Sequence, residues 1–130
     1  MSGQVPAATE VLRSRHRDRI EVRQFRLVVT GGPDAGRVHD SRGERAVIGS
    51  HETADLRLED RAVSRFHCEV SLGDDAVRLR DLGSLNGTYV NRQRIDVAAL
   101  AGGDEVQIGK FRLLYLAGAR AGGEEPAAAR

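Results

Sequence analysis

The chain has 130 residues, 20 Lys+Arg against 19 Asp+Glu, a net charge of +1 and one cysteine, Cys68. Such balance argues against a protein built to coat nucleic acid. A lone cysteine excludes an intrachain disulfide and suits a reducing compartment. The length suggests one domain, able to hold a core without metal or disulfides. No apolar run approaches the length of a bilayer, and the N-terminus lacks an apolar signal-peptide core. The expected location is the cytoplasm, off the membrane.

Residues 1–23 are polar and Arg-rich, with arginines at 13, 15, 17 and 19, and read as a flexible arm. Those arginines can contact nucleic-acid phosphates, but no aromatic residues interleave them, so a solvated tail is expected and nucleic acid is not an expected partner. Phe25–Thr30 is the first strand candidate, closed by the turn formers Gly31-Gly32-Pro33-Asp34-Ala35-Gly36. Further candidates are 47–49, 55–58, 67–72, 76–80, 88–90, 105–108 and 111–116. Leu56/Leu58, Cys68/Val70/Leu72 and Val77/Leu79 are apolar at every second position, the period of a half-buried strand. Gly, Asp or Asn interrupts the chain roughly every ten residues, as in an antiparallel sandwich or barrel. The sequence offers no long amphipathic helix and no internal repeat. Residues 118–130, rich in Ala, Gly and charge, read as a disordered tail.

Three loops stand out: 49–55, 61–67 and 81–88. Ser64, Arg65, Ser84, Asn86 and exposed backbone N–H groups can converge on one anion. A phosphate, with close to two charges and three acceptor oxygens, suits a guanidinium fork plus neutral donors. Taken singly, each loop is equally well an ordinary turn, and Asn86-Gly87 alone is a common hairpin signal.

The pieces taken together resemble the forkhead-associated (FHA) domain family. Ile48-Gly49 reads as its Gly-Arg turn, Ser64-Arg65-Phe66-His67 as Ser-x-x-His, Ser84-Leu85-Asn86-Gly87-Thr88 as Ser-x-Asn-Gly-Thr, and Leu100-Ala101-Gly102-Gly103-Asp104 as Leu-x-x-Gly-Asp. The resemblance implies an all-β, eleven-stranded antiparallel β-sandwich over residues 24–117 that binds phosphothreonine in partner proteins and catalyses nothing. It implies that Ser64 donates to the phosphate, that Arg65 pairs with it, and that Asn86 bonds the peptide backbone. Ser84 and the Leu85 N–H complete the cradle, while Gly49, His67, Gly87 and Thr88 brace the loops. The implied partners are phosphothreonine-bearing proteins: a Ser/Thr kinase, a metabolic enzyme or a transcription regulator. A monomer is expected.

Ser50 departs from the family, which usually carries a phosphate-binding Arg after the turn glycine. Ser50 retains one donor without the charge, and protonated His51 can stand in for it. Two readings stay open: a phosphate-dependent site resting on Arg65, or a phosphate-independent FHA-like scaffold. Residues 86–116 resemble small bacterial single-FHA regulators of 2-oxoglutarate metabolism, whose arm carries a phosphorylatable Thr pair. Only Thr9 is found in this arm. Residues 27–70 resemble FHA modules of bacterial AAA+ transcriptional activators, which leaves a detached regulatory domain as an alternative.

Other classes fit less well. Ser64, His67 and Asp81 are the residue types of a hydrolase triad, but Gly-x-Ser-x-Gly is absent. Gly31–Gly36 imitates part of a phosphate-binding loop, but Arg37-Val38 follows where Lys-Ser/Thr is needed. His16, His39, His51, His67 and Cys68 lack metal-ligand spacing, so no metal or cofactor is expected.

Overall fold

The computed structural model describes residues 24–118. Eleven strands run through them in chain order: β1 Phe25–Gly31, β2 Val38–Asp40, β3 Arg45–Gly49, β4 Leu56–Arg57, β5 Cys68–Leu72, β6 Val77–Asp81, β7 Thr88–Val90, β8 Gln93–Ile95, β9 Val97–Leu100, β10 Glu105–Ile108 and β11 Phe111–Ala117. They form a six-stranded sheet, β2-β1-β11-β10-β7-β8, and a five-stranded sheet, β4-β3-β5-β6-β9. The expected eleven-stranded all-β sandwich is what the chain forms. One pairing is not antiparallel: β3 and β4 run parallel, Ile48 opposite Leu56. The loop between them carries β4 back to the starting end, so it re-enters the sheet edge in the same direction.

The alternation seen in the sequence is the alternation of burial. Phe25, Leu27 and Val29 of β1 point inward, as do Cys68 and Val70 of β5, Val77 and Leu79 of β6, and Phe111, Leu113 and Tyr115 of β11. The inward faces of both sheets merge into one core. Each large apolar side chain buried there contributes roughly 1.5–3 kcal/mol. The Phe25 and Tyr115 rings lie 6.2 Å apart and tilted, within the favourable range for aromatic pairs. Cys68 is fully buried, and burial pushes its thiol pKa well above the ordinary value despite a hydrogen bond with Thr88. It is a core residue, not a nucleophile.

Strand register fixes which loops share a pole. Ile108 pairs with Phe111 and also with Thr88, so the β10–β11 turn lies beside the start of β7. Cys68 pairs with Ile48 and Asp81, which brings the 49–55, 61–67 and 81–88 loops to that same pole. At the other pole, Phe25 pairs with Ala117, so both ends of the described chain leave the sandwich away from these loops. That far pole also holds the tight β7–β8 hairpin, in which Asn91 and Arg92 both take positive φ, 48° and 73°. Positive φ at both central residues is the two-residue turn whose twist suits a hairpin. The arm expected over 1–23, with Thr9, and nearly all of the tail expected over 118–130 lie outside the described residues.

Candidate functional site

His67 ties the three loops together. It is fully buried. Its ring Nδ1 accepts the Ser64 N–H at 3.0 Å, so Nε2 carries the hydrogen and donates to the Gly87 carbonyl at 2.9 Å. Its backbone N–H donates to Ile48, and its carbonyl accepts from Leu82. One residue thereby links β3 and the 61–67 and 82–87 loops.

Gly49 permits the closest of these approaches. A Cβ there would lie 2.0 Å from the Arg65 carbonyl oxygen, a collision with backbone that cannot relax cheaply. With glycine in place, Ser50 N–H donates to the Ser64 carbonyl at 3.0 Å and His51 N–H to the Arg65 carbonyl at 3.1 Å.

Asp81 organises the third loop. Its Oδ2 accepts the Gly83 and Ser84 N–H groups at 2.9 Å each. Its Oδ1 accepts the Ser84 hydroxyl at 2.5 Å and the Thr88 hydroxyl at 2.7 Å. Burial pushes the carboxyl pKa up, but hydrogen bonds from the Ser84 and Thr88 hydroxyls and the Ser84 and Gly83 backbone outweigh it. The net pKa lies below the ordinary carboxylate value. Ser84 Oγ also accepts the Gly87 N–H at 2.9 Å. Its hydrogen is committed to Asp81 and its lone pair to Gly87, so Ser84 acts by shaping the loop.

What remains unspent is instructive. Leu85 N–H donates to Ser64 Oγ at 3.1 Å, which fixes that oxygen and leaves the Ser64 hydroxyl hydrogen for an acceptor. Asn86 Nδ2 donates to the Ala62 carbonyl at 3.0 Å, which orients the amide while its Oδ1 takes no partner among the described residues. The Arg65 guanidinium is exposed, with no ion-pair partner among the described residues. Ser64, Arg65, Leu85 and Asn86 thus come together at one pole. Ser50 is tied to them by its N–H, which donates to the Ser64 carbonyl, while its own carbonyl accepts Arg57 Nε at 3.0 Å.

His51 is engaged within its own turn. Its Nδ1 accepts the Thr53 N–H at 3.0 Å, which requires a lone pair on that nitrogen, and its ring lies 4.8 Å from the Phe66 ring. The hydrolase arrangement is not formed: Ser64 Oγ faces Leu85, both His67 nitrogens meet backbone groups, and Asp81 bonds Ser84 and Thr88. Among the described residues, no cluster of His, Cys, Asp or Glu is arranged to hold a metal ion. No helix there is long and apolar enough to cross a membrane.

The fold and this loop cluster define an FHA domain, and the chain belongs to the FHA family. The FHA domain family model matches residues 46–109. The oxoglutarate dehydrogenase inhibitor of Corynebacterium efficiens is 41% identical over 117 residues, 90% of this chain and 78% of that protein. The glycogen accumulation regulator GarA of Mycobacterium tuberculosis is 48% identical over 99 residues, 76% of this chain. The chain spans only 61% of the length of GarA. A solved structure from a study of phosphothreonine-dependent FHA domain interactions matches with TM-score 0.65 at 31% identity, over 72% of this chain and 95% of that one. The resemblance to small single-FHA regulators is supported; the resemblance of residues 27–70 to AAA+ activator modules finds no support in these comparisons.

Proposed function

We propose that residues 24–117 form a phosphothreonine-binding module that serves as an adaptor or regulator in bacterial Ser/Thr-kinase signalling, without catalysing a reaction. The observation that carries this reading is the unspent donor set. Among the described residues the Arg65 guanidinium meets no partner, and Ser64 has an oxygen held by Leu85 with its hydrogen left over. A phosphate needs donors of both kinds. Ser50 adds at most one neutral donor, so Arg65 supplies the main charge. Asn86, oriented by Ala62, offers Oδ1 to a backbone N–H of the bound peptide.

The names of the relatives favour a metabolic enzyme as the partner class, since one is an inhibitor of oxoglutarate dehydrogenase and another a regulator of glycogen accumulation. We read the chain as a cytoplasmic monomer, in keeping with its single, buried cysteine. The test is a calorimetric titration of the full chain with one peptide in three forms: phosphothreonine, phosphoserine and unmodified threonine. Phosphothreonine binds best. Phosphoserine binds more weakly by about 1 kcal/mol if the γ-methyl is buried, and the unmodified form does not bind measurably. Equal binding of the phosphorylated and unmodified forms would instead favour the phosphate-independent scaffold.

A further inference from the structure

Each sheet of the sandwich has two edges, and three of the four are blunted. Charges, prolines, bulges and very short strands are the usual protection of a sheet edge. β2 carries Asp40, ion-paired with Arg26 at 2.6 Å. β4 is two residues long, and Arg37 Nη1 caps its Arg57 carbonyl at 2.7 Å. β8 places Gln93 and Arg94 on its edge. β9 is the exception: its Val-Ala-Ala-Leu has no charge, proline or glycine.

Register shows which groups this edge leaves open. Asp81 N–H donates to the Asp96 carbonyl at 2.8 Å, and the next pairs set Arg80 opposite Val97 and Arg78 opposite Ala99. Bonded pairs alternate along an antiparallel ladder. Ala98 and Leu100 therefore bond β6, while the N–H and C=O of Val97 and of Ala99 point away from the sheet. The Gly73 N–H on the Ala76 carbonyl fixes the same phase from the other side, since it assigns the backbone of Arg78 and Arg80 to β5. Among the described residues β9 pairs with β6 alone. The open stretch is closed at both ends: Ile95 pairs with Thr88, and the Ala101 N–H is taken by Asp104. Two donors and two acceptors, in the spacing of one strand, face outward.

The side chains say what would dock there. Val97 is 53% exposed on the outer face. Behind Val97 and Ala99, on β6, stand the exposed Arg80 and Arg78. Arg80 has no ion-pair partner among the described residues, and Arg78 meets Asp75 at 3.6 Å, well exposed to solvent. Glu69, on the far side of Arg80, faces Arg45. Strands lie about 4.8 Å apart, so a strand added to β9 runs about 10 Å from β6. Over Ala99 only a methyl separates that strand from Arg78, a gap that an arginine and a glutamate span together. The charge therefore calls for an acid opposite Ala99, and Val97 for an apolar residue opposite itself. A second copy of this chain fits less well. Its Val97 would stand opposite Ala99, and three paired residues a side fall far short of the roughly 20–30 of a standing interface.

We propose that the β9 edge takes an extended segment of a partner protein by antiparallel strand addition, with an acidic residue opposite Ala99 and an apolar one opposite Val97. The contact is separate from the phosphothreonine pole and needs no phosphate.

Fluorescence polarisation with the full chain and a labelled, end-capped peptide, Thr-Glu-Val-Ile-Thr, tests this. The peptide binds saturably below about 1 mM. N-methylation of its Ile, whose N–H faces Val97, weakens binding by about tenfold or more, whereas N-methylation of its Val, whose N–H faces solvent, changes it less than about twofold. Gln in place of the peptide's Glu costs about two- to fivefold in the parent and nothing in Arg78→Gln. Ala99→Pro removes an edge N–H without breaking a ladder bond, and it abolishes binding at a matched melting temperature. Should that variant fail to fold, the two N-methyl peptides on the parent decide alone. A phosphothreonine peptide does not compete. The proposal is overturned if the peptide does not bind at about 1 mM, if the two N-methyl peptides behave alike, if the Glu preference survives Arg78→Gln, or if a phosphothreonine peptide displaces the probe. A dimer in sedimentation that Ala99→Pro dissolves would also overturn it, by giving the edge to a second copy. None of these results touches the receptor reading, which stands or falls on the phosphothreonine titration.

Discussion

The two poles of the sandwich are built from the same materials to different ends. At the far pole, Asp104 accepts the Ala101 N–H at 2.8 Å and the Asn91 amide at 3.0 Å, and Asn91 Oδ1 accepts the Glu105 N–H at 3.0 Å. An aspartate and an asparagine there use up each other's groups to lock a hairpin to a turn. At the loop pole, Asp81 and His67 do the same work one layer down, and above them Arg65, the Ser64 hydroxyl hydrogen and Asn86 Oδ1 meet no partner among the described residues. Both poles match family motifs. A motif by itself therefore does not tell a brace from a receptor; the donors left over do.

The largest expected effect tests the buried layer. His67→Ala removes a fully buried ring and leaves the Ser64 N–H and the Gly87 carbonyl without partners. Two lost buried hydrogen bonds and a cavity cost roughly 3–5 kcal/mol. At about 4–8 °C per kcal/mol, the melting temperature falls by more than 10 °C in calorimetry. A small change there would mean that the loops hold together without this staple.

Arg65→Ala is the reverse case, with a large effect on binding and almost none on folding. Loss of the main charged contact weakens a phosphothreonine peptide by about 2–3 kcal/mol, roughly 30- to 150-fold. The melting temperature stays with the parent's, because the bond that Arg65 makes, from the His51 N–H to its carbonyl, is a backbone bond that alanine keeps. Ser50→Arg moves affinity the other way, by restoring the charge usual at that turn. Should Arg65→Ala bind as the parent does while His51→Ala loses affinity, the charge assignment is wrong.

The far pole should behave oppositely to Arg65. Asp104→Ala strips its acceptors from Ala101 N–H and the Asn91 amide, at a cost of about 1–2 kcal/mol in stability. Phosphopeptide affinity is expected to stay unchanged, since the pole lies across the length of the sandwich. A measurable loss of affinity in that variant would break the contrast between the poles.

Much of this was legible in the sequence, for a physical reason. Long inward-facing runs such as Phe25–Thr30 and Phe111–Leu116 announce themselves by alternation, because one face is buried. The strands Val38–Asp40, Gln93–Ile95 and Val97–Leu100 were not found. They are short and largely exposed, and Ala98-Ala99 has no strand preference of its own; each is held by its neighbour's ladder. The segments of β3 and β4 are legible, the second through the alternation of Leu56 and Leu58, but nothing in them tells that the two pair in parallel. For the site, motif spacing named Ser64, Arg65 and Asn86. It did not reveal that Ser84 spends its hydroxyl on Asp81. That fact depends on how the 81–88 segment folds as it passes from one sheet to the other.

The smallest effect concerns Asp81, and pH exposes it. Asp81→Asn keeps an acceptor for the two N–H groups, while the Ser84 and Thr88 hydroxyls can turn to accept from the new amide. The loss at neutral pH is then mainly that of charge assistance, about 1 kcal/mol. The parent carboxyl has its pKa held below the unfolded value by those hydrogen bonds. Its stabilisation is therefore complete above the ordinary carboxylate range and fades as pH falls through the lower, folded pKa. The asparagine variant has no such group to protonate. Asp40 of both proteins, held low by its hydrogen bond with Arg26 and, less strongly, by its charge, still titrates in that acid region. Urea melts of parent and variant across this range should therefore converge: the variant is less stable near neutrality, and the gap closes as acid neutralises Asp81. A gap that stays constant down to the lowest pH would show that Asp81 stabilises the loop by shape alone, with its charge contributing nothing.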